Sequence, residues 1–240
     1  METIRAAFEW LTDSANYSGD EGIPVRIYEH LQMSSQAVLL AALIALPVGM
    51  YIGHKRRFEF LAISVGNLGR ALPSFGILGF LFPFTLSLPG EIGFWATFLT
   101  LVLLAIPPLL TNTYVGIKGV DRDTIEAARG MGMTEFDVLR RLEIPLATPL
   151  IVGGARIAAV QVVATATLGA LVAWGGLGRF IIDGKSQGDS AQLLGGAILV
   201  ALLAILTEVA FGVLERFVSL KGVKRRRARW ESGQPGMGVP

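Results

Sequence analysis

LQMSSQAVLLAALIALPVGMYIG, residues 31–53, is a run of 23 residues without a formal charge, and Lys55, Arg56 and Arg57 close it. Wound into a helix it is about 34 Å long, enough to cross the ~30 Å hydrocarbon core of a bilayer. The chain is therefore read as a membrane protein, and the basic triplet as the stop at the end of its first span.

Further runs of the same kind follow. Residues 60–90 are apolar but interrupted by Arg70, Pro73 and Pro83, with Gly66, Gly69, Gly76 and Gly79 between them. That pattern predicts a broken helix facing protein or a cavity, because freed backbone groups cannot be left in lipid. Residues 92–117 carry no charge and hold Pro107 and Pro108, expected to kink the third span. A fourth span runs uncharged from Ile157 to Gly178, a polar loop with Arg179, Asp183, Lys185 and Asp189 follows, and a fifth span covers Ser190 to Phe217.

Composition agrees. The 240 residues are 52% hydrophobic and 17% charged, with a mean hydropathy of +0.56, whereas soluble domains carry about 25% charged residues. There is no cysteine, which excludes a disulfide framework and thiol redox chemistry. Five spans leave no room for a nucleotide-hydrolysing domain. The first 30 residues lack the basic-then-apolar pattern of a cleavable leader and carry six acids; they suit an amphipathic surface helix around Ile4, Phe8 and Leu11.

Orientation follows from the basic residues. With five crossings, Lys55 to Arg57, Lys118 to Arg141 and Arg216 to Arg229 share one side and hold 15 lysines and arginines, against Arg5, Arg26, Arg179 and Lys185 on the other. The richer side is expected in the cytoplasm, with the amino terminus outside and the carboxyl terminus inside. The fold class is thus all-α and polytopic. The expected organisation is an extracytoplasmic segment 1–30, a transmembrane domain 31–220 with a cytoplasmic loop 118–146, and a basic tail 221–240. The tail suits a membrane surface rather than nucleic acid, and Lys224 to Arg229 could sense anionic lipid or ionic strength.

The informative loop reads Asp123-Thr-Ile-Glu-Ala-Ala-Arg-Gly-Met-Gly-Met-Thr-Glu-Phe-Asp-Val-Leu-Arg-Arg-Leu-Glu-Ile-Pro145. Asp123 can cap a helix with Glu126 in its first turn, and Gly130 and Gly132 break that helix. Thr134 can cap a second helix, with Asp137 three residues on, which Pro145 ends. Ala127 and Ala128 let another protein approach the backbone closely, and Met131, Met133 and Phe136 offer apolar surface. The unit is shaped to dock.

Glu126-Ala127-Ala128, then Gly132 after three residues, then Leu142, Ile144 and Pro145, resembles the coupling-loop signature of permease subunits of bacterial ATP-binding cassette importers. The resemblance runs from about Gln36 to Leu220. Leu72-Pro73-Ser74, Asn112-Thr113-Tyr114 with Gly116-Ile117 and Val120-Asp121, the Gly130-to-Met133 run, Ala164 to Leu168, and Gly175 to Gly178 resemble the branch importing glycine betaine, choline and carnitine. The resemblance implies a type I importer-permease fold in the bacterial inner membrane, a second permease chain (an identical copy or a paralogue), cytoplasmic ATPase subunits, and an extracytoplasmic substrate-binding protein. It assigns ATPase coupling to Glu126, Ala127, Ala128, Gly130, Gly132, Leu142, Ile144 and Pro145. ATP would be used by the partner and no cofactor held by this chain. A permease for methionine or another amino acid is the alternative within the fold, and a channel or anchor without an ATPase the alternative outside it.

Arg70, Ser74 and Asn112 are candidate lining of the substrate path. An aromatic cage for a quaternary amine is expected on the binding protein. Gly178 to Ser186 approaches a phosphate-binding loop but has one residue too many before Gly184-Lys185-Ser186. Arg156 and Glu208 are expected to reach the headgroups. His30 and His54 stand at opposite ends of the first span with no cysteine or carboxylate pair beside them in sequence, so neither a metal site nor a hydrolytic constellation is expected.

Overall fold

Residues 2–219 are described in the computed structural model; residue 1, residues 220–240 with the expected tail 221–240, and the side chains of Arg70 and Ser219 lie outside the described residues. All regular elements described are helical. A surface helix α1 (Glu2–Thr12) leaves Ile4 and Phe8 exposed while Trp10 meets Phe180 edge-on at 5.2 Å. Helix α2 (Ile23–Lys55) begins before the uncharged run, so Arg26, Glu29 and His30 ride on the same rod.

On α2 the buried positions Met33, Ala37, Ala41, Ala45, Gly49 and Gly53 recur every fourth residue, one stripe of small side chains along a helix face. The stripe lies on α5 (Phe94–Lys118), the central helix, which also meets the later helix α8 (Ile144–Thr165). A methyl at Gly49 would meet Thr113 Cβ at 2.9 Å, and one at Gly53 would meet Ile117 Cβ at 2.8 Å. Lipid tails are as apolar as leucine, so helices in a bilayer gain little by hiding apolar surface from each other. Close backbone approach supplies the association instead.

Between α2 and α5 lie α3 (Glu59–Ala71) and α4 (Ser74–Thr85), bent by 93° across Leu72 and Pro73. The residue before a proline is pushed out of the helical region, and Leu72 accordingly sits at φ −77°, ψ 123°. The broken second span read from the glycines and prolines is present. The two prolines at 107 and 108 sit inside α5.

After α5 come α6 (Arg122–Gly130), the short α7 (Glu135–Asp137), a π-helical stretch at Val138–Glu143, and α8 (Ile144–Thr165), which passes into a 3-10 segment at Ala166–Val172. Gly93, at φ +79°, opens α5 against that segment; a Cβ there would stand 2.1 Å from the carbonyl oxygen of Val172. The expected polar loop after the fourth span is instead helix α9 (Gly178–Gln187). It buries Phe180 and packs on the last helix, α10 (Ser190–Ser219), while Arg179 pairs with Asp183 a turn away.

Four helical stretches are long and apolar enough to cross a membrane, or five if the bent pair counts as one span. Leu39, Leu43, Phe60, Phe80, Phe84 and Leu206 are more than half exposed, and the apolar window of α10 has no buried residue. Such a surface suits lipid as its solvent.

Candidate functional site

The helix–turn–helix unit of residues 121–145 forms at the Lys55 end of the bundle. Its first cap is Asp121, not Asp123: the Asp121 carboxylate accepts from the amide and hydroxyl of Thr124 at 3.1 and 2.9 Å. The hydroxyl first, and then the amide, hold that carboxyl below its ordinary value. Starting the helix two residues earlier turns Ile125 and Ala128 inward, onto Val120 and Val138, with Met133 and Leu142 beside them. Glu126, Ala127 and Gly130 face outward, next to Met131 (78% exposed) and Phe136 (67% exposed).

Gly132 makes the turn at φ +87°, where a side chain would meet no neighbour but would strain the backbone. Thr134 caps α7 as its sequence suggests: its hydroxyl accepts from the Asp137 amide at 3.2 Å and donates to the Asp137 carboxylate at 2.7 Å, which keeps that carboxyl below its ordinary value. Pro145, expected to end this helix, stands instead in the first turn of α8. A proline there needs no amide hydrogen and has its φ already set. The preceding π-helical turn lets one rod run from Thr134 into α8, a widening of the helix common at functional sites.

The unit is fastened to the end of α2 by His54 and Arg56, whose partners the sequence alone did not show. His54 Nδ1 lies 2.6 Å from Glu143 Oε2, and its Nε2 lies 3.2 Å from Glu135 Oε2. Glu135 also takes two bonds from Arg129, at 2.8 and 3.0 Å, and this pairing above all pulls its carboxyl below the ordinary value. Arg56, in the left-handed region at φ 50°, donates to the carbonyls of Lys118 and Val120. So His54 does have a carboxylate pair beside it, brought there from 81 and 89 positions along the chain. Among the described residues no group of three or more such side chains is arranged to hold a metal ion.

At the other end of α2, His30 Nε2 is 2.8 Å from the carbonyl oxygen of Val163, and its Nδ1 accepts from the amide of Leu177. Glu29 accepts from the amide of Gly176 at 2.7 Å, and Trp174 is buried against the same segment. The amides of Gly176 and Leu177 thus latch this segment onto α2.

Above the unit, a cavity of about 430 Å³ opens between α3, α4, α5 and α8. Ser74 and Asn112 line it, joined by Thr111, Gln161 and Thr165; the side chain of Arg70 lies outside the described residues. The Thr111 hydroxyl is buried with no hydrogen-bond partner among the described residues, and the described lining residues include no ionised group. Arg156 and Glu208, expected to reach the headgroups singly, pair with each other, and Arg156 also meets Glu215 at 3.0 Å, tying α8 to α10. A charge in the membrane is costly alone and tolerated when matched.

The sequence matches the family described as "Binding-protein-dependent transport system inner membrane component" over residues 45–220. It is 36% identical to a carnitine transport permease protein of Listeria monocytogenes over 203 residues, 85% of this chain and 91% of the relative. It is 35% identical to a glycine betaine/carnitine/choline transport system permease protein of Bacillus subtilis, covering 82% of this chain and 88% of the relative. Among solved structures, a chain of the inward-facing MetNI methionine ABC transporter superposes with a TM-score of 0.70 at 25% identity, over 80% of this chain and 94% of that one.

Proposed function

Since the chain belongs to the family of binding-protein-dependent transport system inner membrane components, we propose that it is the permease subunit of an ATP-driven importer for quaternary-amine osmoprotectants such as glycine betaine, carnitine and choline. The carrying observation is the outward face of the 121–145 unit, where Glu126, Ala127, Gly130, Gly132, Met131 and Phe136 stand exposed on a turn held rigidly from behind. That face is the seat for a separate ATPase on the cytoplasmic side, and this chain holds no cofactor of its own. A second permease chain and an extracytoplasmic binding protein complete the assembly.

Geometry supplies the lever. Helix α8 starts at Ile144 beside the unit and carries Ile157, Gln161 and Thr165 on the cavity wall, Gln161 roughly 26 Å from the start of the rod. A small tilt driven at the unit therefore moves that wall by ångströms. ATP need only favour one arrangement over the other for this tilt to do work. The hydroxyl and amide groups of Ser74, Thr111, Asn112, Gln161 and Thr165 on an otherwise apolar wall offer a passing solute polar contacts of ordinary strength, and specificity then resides in the binding protein.

Reconstitution with the ATPase and the binding protein, followed by uptake of labelled glycine betaine, carnitine, choline and methionine, tests the proposal. ATP-dependent uptake of a quaternary amine supports it. Uptake of methionine alone favours the second reading, a methionine or amino-acid permease, which the likeness to MetNI keeps in view. Failure of the wild-type chain to retain an ATPase on purification refutes coupling altogether.

A further inference from the structure

We propose that the main-chain carbonyl of Leu104, deprived of its helical donors by Pro107 and Pro108, is a contact site in the cavity wall for a cationic headgroup, where the quaternary ammonium of the substrate rests in passing. The proposal deepens the importer reading above and rests on it.

In an α-helix a carbonyl accepts from the amide four residues on, or from the one three on where the turn tightens. For Leu104 these are positions 108 and 107, both proline, and neither carries an amide hydrogen. The next amide, that of Leu109, has the Ala105 carbonyl four residues before it as its own regular partner. Leu103 is better placed, since Ile106 three residues on keeps its N–H. Of the two carbonyls that the prolines affect, that of Leu104 is the one left without a helical donor. The Pro108 ring also presses on it and tilts it away from the helix axis.

Its direction follows from the helical period. Leu104, Pro107, Pro108, Thr111 and Asn112 stand at steps of three and four, and all five line the cavity of about 430 Å³. A carbonyl aimed from residue 104 towards residue 108 therefore runs along the cavity face, about 15 Å from the start of α5 and near its middle. An unpaired carbonyl is costly in hydrocarbon and is tolerated where it lines a cavity. Two neighbours extend the surface. Asn112 turns its amide nitrogen back onto the Pro108 carbonyl at 2.8 Å, which leaves its own oxygen as an acceptor one turn further on. Thr97, Thr100 and Thr113 each donate to the carbonyl four residues before them at 2.7 Å, whereas the Thr111 hydroxyl on the cavity face makes no such bond among the described residues. Oxygens so directed favour a positive group over a neutral one of the same shape, as rings of backbone carbonyls do for cations in channel filters. The binding protein selects the solute, and the carbonyl steadies its charged end on the way through.

The test uses the complete transporter in vesicles, with ATP enclosed on the ATPase side and the binding protein, saturated with labelled glycine betaine, outside. Tetramethylammonium chloride is enclosed with the ATP, where it reaches the cavity without meeting the binding protein, and is compared with equal sodium chloride and with 2,2-dimethyl-1-propanol, a neutral molecule of similar shape. Tetramethylammonium inhibits wild-type uptake and the alcohol does not. Pro108→Ala supplies an amide hydrogen to the Leu104 carbonyl, and the inhibition constant rises about tenfold. An ester variant with lactic acid at position 108 has the same methyl group and no amide hydrogen, so it retains the wild-type constant. The wild-type comparison of cation with alcohol stands even if neither variant assembles. No inhibition of wild type by tetramethylammonium, equal inhibition by the alcohol, or equal constants in Pro108→Ala and the ester variant overturns the proposal and leaves the importer reading intact. Absence of ATP-driven uptake of glycine betaine, carnitine and choline by wild type overturns that reading, and the proposal with it.

Discussion

Gly53→Ala adds one carbon to the most crowded point of the α2–α5 contact. That carbon would stand 2.8 Å from Ile117 Cβ, 2.9 Å from Ile117 Cγ2 and 3.0 Å from the carbonyl oxygen of Tyr114. Carbon atoms rest at about 3.5–4.0 Å, so the helices must part by roughly 0.7 Å or more. Ile117 is β-branched on a helix and locked at χ1, and the other obstacle is backbone, so neither can swing aside. Gly49, one turn back, is equally tight on Thr113, and the His54 and Arg56 contacts fix the next turn.

Two effects compete: alanine improves helix propensity by about 1 kcal/mol, and overpacking costs about 1–3 kcal/mol. With no flexible neighbour, the cost belongs at the upper end of its range, leaving a net loss of about 1–2 kcal/mol. For a chain of this size that lowers Tm by about 2–8 °C in a detergent melt. Gly153→Ala is the control: it is also helical, but its new carbon would meet nothing within 4 Å, so Tm should hold or rise. If both variants rise alike, close packing at the small-residue stripe is not what holds α2 to α5.

Three further outcomes are expected. Gly132→Val puts a β-branched residue at φ +87° with open space around it, a cost of at least ~1–2 kcal/mol from backbone strain alone; the ATPase should bind more weakly in co-purification and uptake should fall. The Glu135 carboxyl is held below its ordinary value chiefly by Arg129, so its pairing adds stability to the turn above the unfolded value, about 4.3, and loses it as pH falls through the depressed folded value; intrinsic-rate-corrected hydrogen exchange of residues 129–135 should show an acid-side step that E135Q lacks. Asn112→Leu removes an amide from the cavity wall and should cut uptake while leaving ATPase binding unchanged; equal loss of both would place Asn112 in the scaffold.

Of the unit itself, Thr134 and Gly132 were legible because each acts through its own few atoms, one as an acceptor for an amide three residues on and one by tolerating a positive φ. The cap reads as Asp123 in the sequence but is Asp121 in the structure: both are acids at a helix start, and the packing of Ile125 and Ala128 on Val120 and Val138 accompanies the earlier start. The cavity was legible only in part: Ser74 and Asn112 stand in motifs, while Thr111, Gln161 and Thr165 reach it through the way α5 and α8 lie against each other.

The sequence alone determined the membrane-spanning class and the broken second span, because charge-free length and proline stereochemistry are local properties. Tertiary structure decided that His54 bridges Glu135 and Glu143, that Arg156 meets Glu208, and that residues 178–187 form a packed helix. Those pairings join side chains distant along the chain, and they depend on the rotation and height at which one rod rests on another. No periodicity within a single rod specifies that.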